Sequence, residues 1–426
     1  MTNKLLNKQN ILSISSFILV KAVLSIIYLY QIVPIFQYEG YKLNFSATYA
    51  IIENIGFVSV IFCIHAILKS EFYHFVLNLV ILFFLIPNGI LFYMLSGDIR
   101  VILSMYIFVV ILLISSQVKY KFCFSSLLVS QRTFLIFVLC IVFFIILFLM
   151  FRFEISFKVL ILQDIYETRA NTVDDKTGFL GYLFSLAAST IFPIGLIYGL
   201  VYRKYLIVYI ASLASVYLFL ATGHKSIFFG IFISIYLYYV GSTVYKKYLL
   251  NFHLIVFLML CWVMNIILNI NLFVSLFARR IFFTPALLNI YYFDYFQENY
   301  LFWKFSLFKF FSNPNEIYRV DKRIAAIYFN RPNMAANNGI ISDGFANMGM
   351  IGVLINILIV ALIIKFLADS NISRNVYGIL FRIIFVFLSS FMFVSLLTHG
   401  IFVLIVLTTL LFRDSGNSEI KAFINV

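Results

Sequence analysis

The residues of this 426-residue chain that could do chemistry are mostly cations, and they come in small groups. Arg279 and Arg280 stand side by side in "ARRIFFTPA" (278–286). Arg319 and Arg323 lie four apart in "EIYRVDKRIAAIYFNR", with Lys322 between them and Arg331 closing the run. Arg169 belongs to "DIYETRAN" (164–171), and His224 and Lys225 to "ATGHKS" (221–226). A guanidinium fork meets phosphate oxygens two at a time, and Lys adds a point charge. Such a set can hold a phosphate or a diphosphate. Each group also has a plainer reading: a solvated connector for Arg169, snorkelling of Lys225 to lipid headgroups, and an interfacial anchor for Arg279 and Arg280. At helical i, i+4 spacing Arg319 and Arg323 repel by a few tenths of a kcal/mol, a conflict that a bound anion or a solvated face removes.

A second kind of signal is the stretch "NRPNMAANNGIISDGFANMGMIG", residues 330–352. Asn337, Asn338 and Asp343 are groups that sugar hydroxyls pair with. Gly339, Gly344, Gly349 and Gly352 allow the backbone to approach a ligand or a neighbouring helix closely. The plain alternative is a glycine-rich re-entry turn. Candidates for a general base are Asp343, His224 and His399, the last in the turn "THG". There is no P-loop, DxD pair, HExxH or GxSxG, and no carboxylate pair at a suggestive spacing. Transfer from cytoplasmic nucleotide sugars is therefore unsupported, and a donor has to be available on the outer face.

These residues are set in a chain that is 63% hydrophobic and 11% charged, too apolar for a soluble surface. Spans of roughly 20 apolar residues are needed to cross a bilayer. Twelve such runs are read at 11–33, 46–68, 73–95, 99–117, 133–151, 179–201, 205–222, 226–244, 254–276, 349–367, 379–397 and 399–412. The fold class expected is an all-α polytopic membrane protein forming a single integral membrane domain over 1–426. Counting Lys and Arg in short loops places both termini in the cytoplasm. The first apolar run lacks a small-residue cleavage site and is read as a retained helix. Cys63, Cys123, Cys140 and Cys261 have neither metal-like spacing nor a pairing compartment.

Two external loops, 152–178 and 277–348, are long and basic, contributing to the net charge of +14 and pointing to an anionic partner. In the second, twelve of the twenty-one residues 291–311 are aromatic, which fits interfacial helices at the headgroups, with stacking on sugars as the alternative. Lys21 and Glu53 fall inside adjacent antiparallel spans and are expected to pair. Lys365 and Arg382 lie near helix ends, where their side chains can snorkel. The "ATGHKS" link is read as a tight turn at Gly223, with Ser226 as N-cap of the next helix.

In this order and at these places in the topology, "DIYETRAN", "ATGHKS", "ARRIFFTPA" and "NNGIISDGFANMGMIG" (337–352) resemble the Wzy-type polymerases of O-antigen and capsular polysaccharide. The likeness spans most of the chain, mainly as architecture, and the motifs are short. It implies a GT-C-like membrane glycosyltransferase, independent of metal and without cofactors, in the bacterial inner membrane. The implied reaction moves a glycan from undecaprenyl diphosphate to a second undecaprenyl-diphosphate-linked repeat unit on the outer face. Arg169, Lys225, Arg279, Arg280 and Arg331 would bind the diphosphate, Arg319 and Arg323 would also contact substrate, and Asn337 and Asn338 would meet the sugars. The base stays open among Asp343, His399 and His224. Implied partners are donor and acceptor, membrane lipids, a chain-length regulator and a flippase, with no nucleic acid. A lipid-linked oligosaccharide flippase and an O-antigen ligase are the alternatives. A flippase should spread cations through its central spans, whereas these cations concentrate in loops.

Overall fold

The structure, a computed structural model, describes residues 8–122, 157–161, 178–241, 247–305 and 319–412. The described elements are helices: α1 (Lys8–Glu39), α2 (Ala47–Ile67), α3 (Glu71–Met94), α4 (Ile99–Gln117), α5 (Gly181–Val201), α6 (Tyr205–Thr222), α7 (Lys225–Gly241) and α8 (Leu249–Leu268). They continue with α9 (Val274–Phe283 running on into Thr284–Tyr295), α10 (Val320–Phe329), α11 (Ile340–Asp369), α12 (Gly378–Ser389) and α13 (Ile401–Leu411). Among the described residues, eight helices (α1–α6, α8 and α11) are long and apolar enough to cross a membrane. The chain thus has the helical character of a multi-pass membrane protein.

These eight match eight of the twelve spans read from the sequence, while 133–151 lies outside the described residues. The remaining three differ for local reasons. Helix α7 has 17 residues and α13 has 11. The run 379–397 is not one helix, because α12 ends at Ser389 and the chain leaves helical geometry at Ser390 and Phe391. Beyond that break, the Met392 N–H donates to Asp343 (3.1 Å) instead of continuing a helical ladder. The run 254–276 is also displaced. Helix α8 stops at Asn269, which takes the left-handed conformation (φ +50°), and the Asn265 side chain accepts the Val274 N–H at the start of α9 (3.3 Å).

Two compact units are present: Met1–Lys119 with Val244–Lys365 and Ile384–Phe393, and Tyr120–Thr243 with Phe366–Ile383 and Val394–Val426. In the first unit, α3 is buried along its apolar window, and α1, α2, α4 and α9 pack against it. Helix α8 turns Phe252, Val256, Leu260, Val263 and Ile267 outward, the surface that lipid rather than water would solvate. Ser46 and Asp98 cap α2 and α4 by accepting the backbone N–H of Tyr49 (3.4 Å) and Arg100 (2.8 Å). Lys21 of α1 pairs with Glu53 of α2 as expected. The Lys21 ammonium also reaches the Asn54 side-chain oxygen (2.8 Å) and the Phe57 ring (4.4 Å). Gly89 of α3 leaves the room this carboxylate needs, since a Cβ there would overlap it.

Proline explains a repeated irregularity. Pro34, Pro87, Pro193 and Pro285 each sit two residues beyond a π-helical segment, at Tyr28–Ile32, Ile81–Leu85, Ala187–Ile191 and Val274–Phe283. In every case the residue before the proline donates its N–H five residues back: Val33 to Tyr28, Ile86 to Ile81, Phe192 to Ala187 and Thr284 to Arg279. A proline ring collides with the carbonyl four residues earlier and supplies no N–H. Widening the preceding turn relieves both problems without breaking the helix.

Helix α11 is two helices joined at a break. Met348 (φ −149°) and Gly349 (φ +58°) are non-helical, and the chain doubles back there. Asn356 donates to the Ile340 carbonyl (2.8 Å) although sixteen residues separate them, which a straight helix would forbid. The carbonyls freed at the break are taken by the Leu301 and Phe302 N–H groups, on Ala346 and Asn347 (3.0 Å each). The re-entry turn read from the glycines is therefore a helical hairpin, entered one helix earlier than the predicted span.

In the second unit, α5, α6 and α7 form the core around Phe192, Leu218, Ala221 and Ile227. Gly223 ends α6 in the left-handed region (φ +65°) with its N–H on the Phe219 carbonyl (2.8 Å), as the short link requires. Helix α7 starts at Lys225, so Ser226 is not its N-cap; the His224 carbonyl accepts the Ile227 N–H instead (3.0 Å). Arg382 does not snorkel outward but donates to the Ser189 carbonyl in the π-turn of α5 (3.2 Å).

Candidate functional site

Three of the π-turns meet in the first unit. Phe83 stacks on Phe282 (5.3 Å) and Tyr28 packs at a tilt against Phe283 (5.2 Å), fastening the bulges of α1, α3 and α9 to one another. The bulge of α9 carries Arg279 and Arg280, which the sequence places in a loop and the structure places inside a helix. Arg279 turns inward and Arg280 outward.

Arg279 is neutralised by an acid the sequence reading did not identify. Its Nη1 pairs with Glu39, at the last turn of α1, and 240 residues separate the two in the chain. Its Nη2 and Nε both point at the Ser275 hydroxyl (2.8 and 3.3 Å), and the Phe36 ring covers its face at 4.3 Å. Both side chains of the pair are about one-tenth exposed. Glu39 is placed by Gly40 (φ +99°), where a Cβ would strike the Tyr291 hydroxyl, and by Tyr291 itself, which donates to the Glu39 carbonyl (3.0 Å). Burial, with the Glu39 carboxylate as a smaller contribution, pushes the Tyr291 phenol up to about 12, so it is a donor at any working pH. Tyr291 in turn stacks on Tyr328 of α10 (4.3 Å).

The rim above this pair is cationic and aromatic. Arg331 is exposed and lies over the ring of Tyr38, the residue before Glu39 (5.7 Å). Tyr38 is itself outward, so consecutive residues place an aromatic platform at the surface and a carboxylate beneath it. Arg323, on α10, is exposed, and so is Asn337. Arg319 lies just before α10, not within it, and its guanidinium grips Asp321 with two bonds (3.1 and 3.0 Å). That fork holds the Arg319 side chain above its ordinary pKa. The expected Arg319–Arg323 repulsion is thus answered by a neighbouring acid.

Below the rim a buried amide network runs toward the hairpin. Asn289 donates to Asn88 (3.0 Å) and accepts from Asn338 (3.0 Å) and Ser342 (2.6 Å). Asn338 is therefore enclosed and not a surface sugar ligand. Asp343 is enclosed as well, one residue beyond Ser342. Its oxygens accept from the side-chain amides of Asn347 (3.0 Å) and Asn356 (3.2 Å) and from the Met392 N–H. All three donors are uncharged, so Asp343 ties the two arms of the hairpin to the segment after α12. Its geometry is that of a buried fastener.

The remaining candidates belong to the second unit. His224 packs its ring against Phe184 (5.8 Å), and His399 bonds through Nδ1 to the Ser185 hydroxyl (3.1 Å). Both histidines therefore sit on α5, beside the π-turn whose Thr190 donates to the His399 and Gly400 carbonyls (3.2 Å each). Lys225 begins α7 next to His224. Arg169 lies outside the described residues. The structure thus brings Arg279 and Arg331 to one turn of the first unit, with Arg280 exposed beside Arg279 in the chain, and gathers His224, Lys225 and His399 on the second.

Glu39, Asn88, Asn289, Asn347 and Asn356 are the participants missed in the sequence. Glu39 had one available signal: it is the single acid between the first two spans, flanked by Tyr38 and Gly40. Among the described residues no three His, Cys, Asp or Glu side chains are grouped as a metal site would need. The first-unit site thus combines a buried, internally paired guanidinium with an exposed one on the same turn. No family model, no curated protein and no solved structure matches this chain.

Proposed function

We propose that this protein is a Wzy-type polysaccharide polymerase, a membrane glycosyltransferase that joins undecaprenyl-diphosphate-linked repeat units. The observation that carries this reading is the turn Phe36–Glu39, to which Arg279 and Arg331 both attach, one buried and one exposed, with Arg280 adjacent in sequence. A diphosphate leaving group gains negative charge as the glycosidic bond breaks. Guanidinium groups fixed before the reaction stabilise that charge without reorganising, which is the largest single contribution such a site can make. Exposed Tyr38 beside Arg331 offers an aromatic surface against which a sugar ring can lie. Binding donor and acceptor side by side turns a bimolecular step into an effectively unimolecular one. The GT-C-like architecture, the inner-membrane location and the cytoplasmic termini are part of the same proposal.

Deletion of the gene in the native host followed by glycan analysis tests it. The expected result is a single capped repeat unit in place of a long surface glycan. Lipid-linked units trapped on the cytoplasmic face would identify a flippase instead. Full-length polymer retained on its lipid carrier, never joined to lipid A-core, would identify a ligase.

A further inference from the structure

The Glu39–Arg279 pair gives the site a resting anion of its own, and this points to a role for Glu39 that rests on the reading above. The carboxylate is buried on a one-turn 3₁₀ helix that Gly40 and Tyr291 hold in place. The guanidinium makes its bonds inside the unit, with Nη1 to Glu39 and Nη2 and Nε to Ser275. Removing either partner would leave a buried charge unpaired, while replacing one anion by another would not. A diphosphate is the better partner for the arginine, because it offers several oxygens in the geometry a guanidinium fork prefers. Arg331 on its Tyr38 platform, one residue from Glu39, presents a second cation at the entrance.

We infer that Glu39 occupies the phosphate seat of Arg279 at rest, is displaced by the donor's diphosphate, and then takes the proton from the acceptor hydroxyl. Once released from the guanidinium, the carboxylate is free to act as a general base toward the acceptor hydroxyl. The step balances as follows. The acceptor oxygen forms the new bond to the anomeric carbon, and the bond from that carbon to the diphosphate oxygen breaks. The electron pair leaves on the diphosphate, and the hydroxyl proton passes to Glu39 and afterwards to water. Neither Asp343, with its oxygens engaged in the hairpin, nor the two histidines of the second unit is required for this step.

The test uses the full chain in detergent micelles with farnesyl diphosphate as the binding probe, and the same variants in the native host with surface-glycan length as readout. A pair closed nine-tenths of the time lowers apparent affinity about tenfold, so Glu39→Gln should bind the probe about tenfold more tightly than wild type. The same variant should lose chain extension, a combination that a merely structural role for Glu39 does not produce. Arg279→Gln should lose probe binding. Should Glu39→Gln fail to fold, as judged by its melting midpoint, Glu39→Asp carries the test: its shorter arm should also tighten binding while slowing extension. Unchanged or weaker probe binding in the folded Glu39 variant, or glycan of normal length, overturns the inference and leaves the polymerase reading standing. Absence of probe binding by wild type, together with normal glycan in the deletion strain, overturns both.

Discussion

Gly344 and Gly352 lie backbone to backbone across the break in α11. A Cβ on Gly344 would stand 2.6 Å from the Gly352 carbonyl oxygen and 2.7 Å from the Val353 Cα, and one on Gly352 would overlap the Gly344 carbonyl. These two contacts let the short arm of the hairpin fold against the long one, and so bring Asp343 within reach of Asn356.

Either Gly344→Ala or Gly352→Ala should therefore destabilise the fold by about 1–3 kcal/mol or more, the usual cost of overpacking a close contact. Thermal unfolding of the detergent-solubilised protein checks this. Wild-type melting of both variants would mean the arms are not in contact.

Asp343→Asn should destabilise as well. Donors already face both carboxylate oxygens, so an amide must point one N–H at another donor. Loss of hydrogen bonds to a charged acceptor costs about 1.5–3 kcal/mol. The fall in melting midpoint should account for whatever chain extension is lost. A variant that melts like wild type yet makes no polymer would show that Asp343 acts chemically.

The Lys21–Glu53 pair is buried on both sides. Lys21→Met or Glu53→Leu alone should cost about 3–5 kcal/mol by leaving an uncompensated charge. The double variant should recover most of that loss, since well-packed apolar residues can replace such a pair. A double-mutant cycle in chemical unfolding provides the measurement, and additive losses would contradict it.

Arg280 and Arg331 are exposed, so replacing either with Ala should change stability by no more than about 0.5 kcal/mol. Chain extension should nevertheless fall roughly tenfold or more for each, the equivalent of one charge-assisted bond. Glycan length in the host and the melting midpoint separate the two effects. Unaltered polymer in both variants would remove these arginines from the donor site.

Several features were legible in the sequence because their causes are local or short-range. Runs of about 20 apolar residues must become helices in lipid, where every backbone group needs an internal partner, and eight of the runs named match helices of spanning length. Gly223 marked its turn because a residue free of a Cβ accepts the left-handed region at least cost. Lys21 and Glu53 could be paired because consecutive antiparallel helices bring opposite charges at similar depth together. The glycines of 339–352 announced close backbone packing. Other features were decided only by tertiary structure. The partner of Arg279 lies 240 residues away, and no spacing rule reaches that far. Asp343 resembled a reactive acid beside a loop, yet the hairpin and the Met392 N–H enclose it. Adjacency alone sets Arg279 and Arg280 in different environments, but which of them enters the unit is decided by the helix carrying the π-turn before Pro285. Composition and periodicity determine which segments enter the membrane. Which buried charge meets which is settled by how those segments pack, because an unpaired charge in a medium of low dielectric is too costly to leave alone.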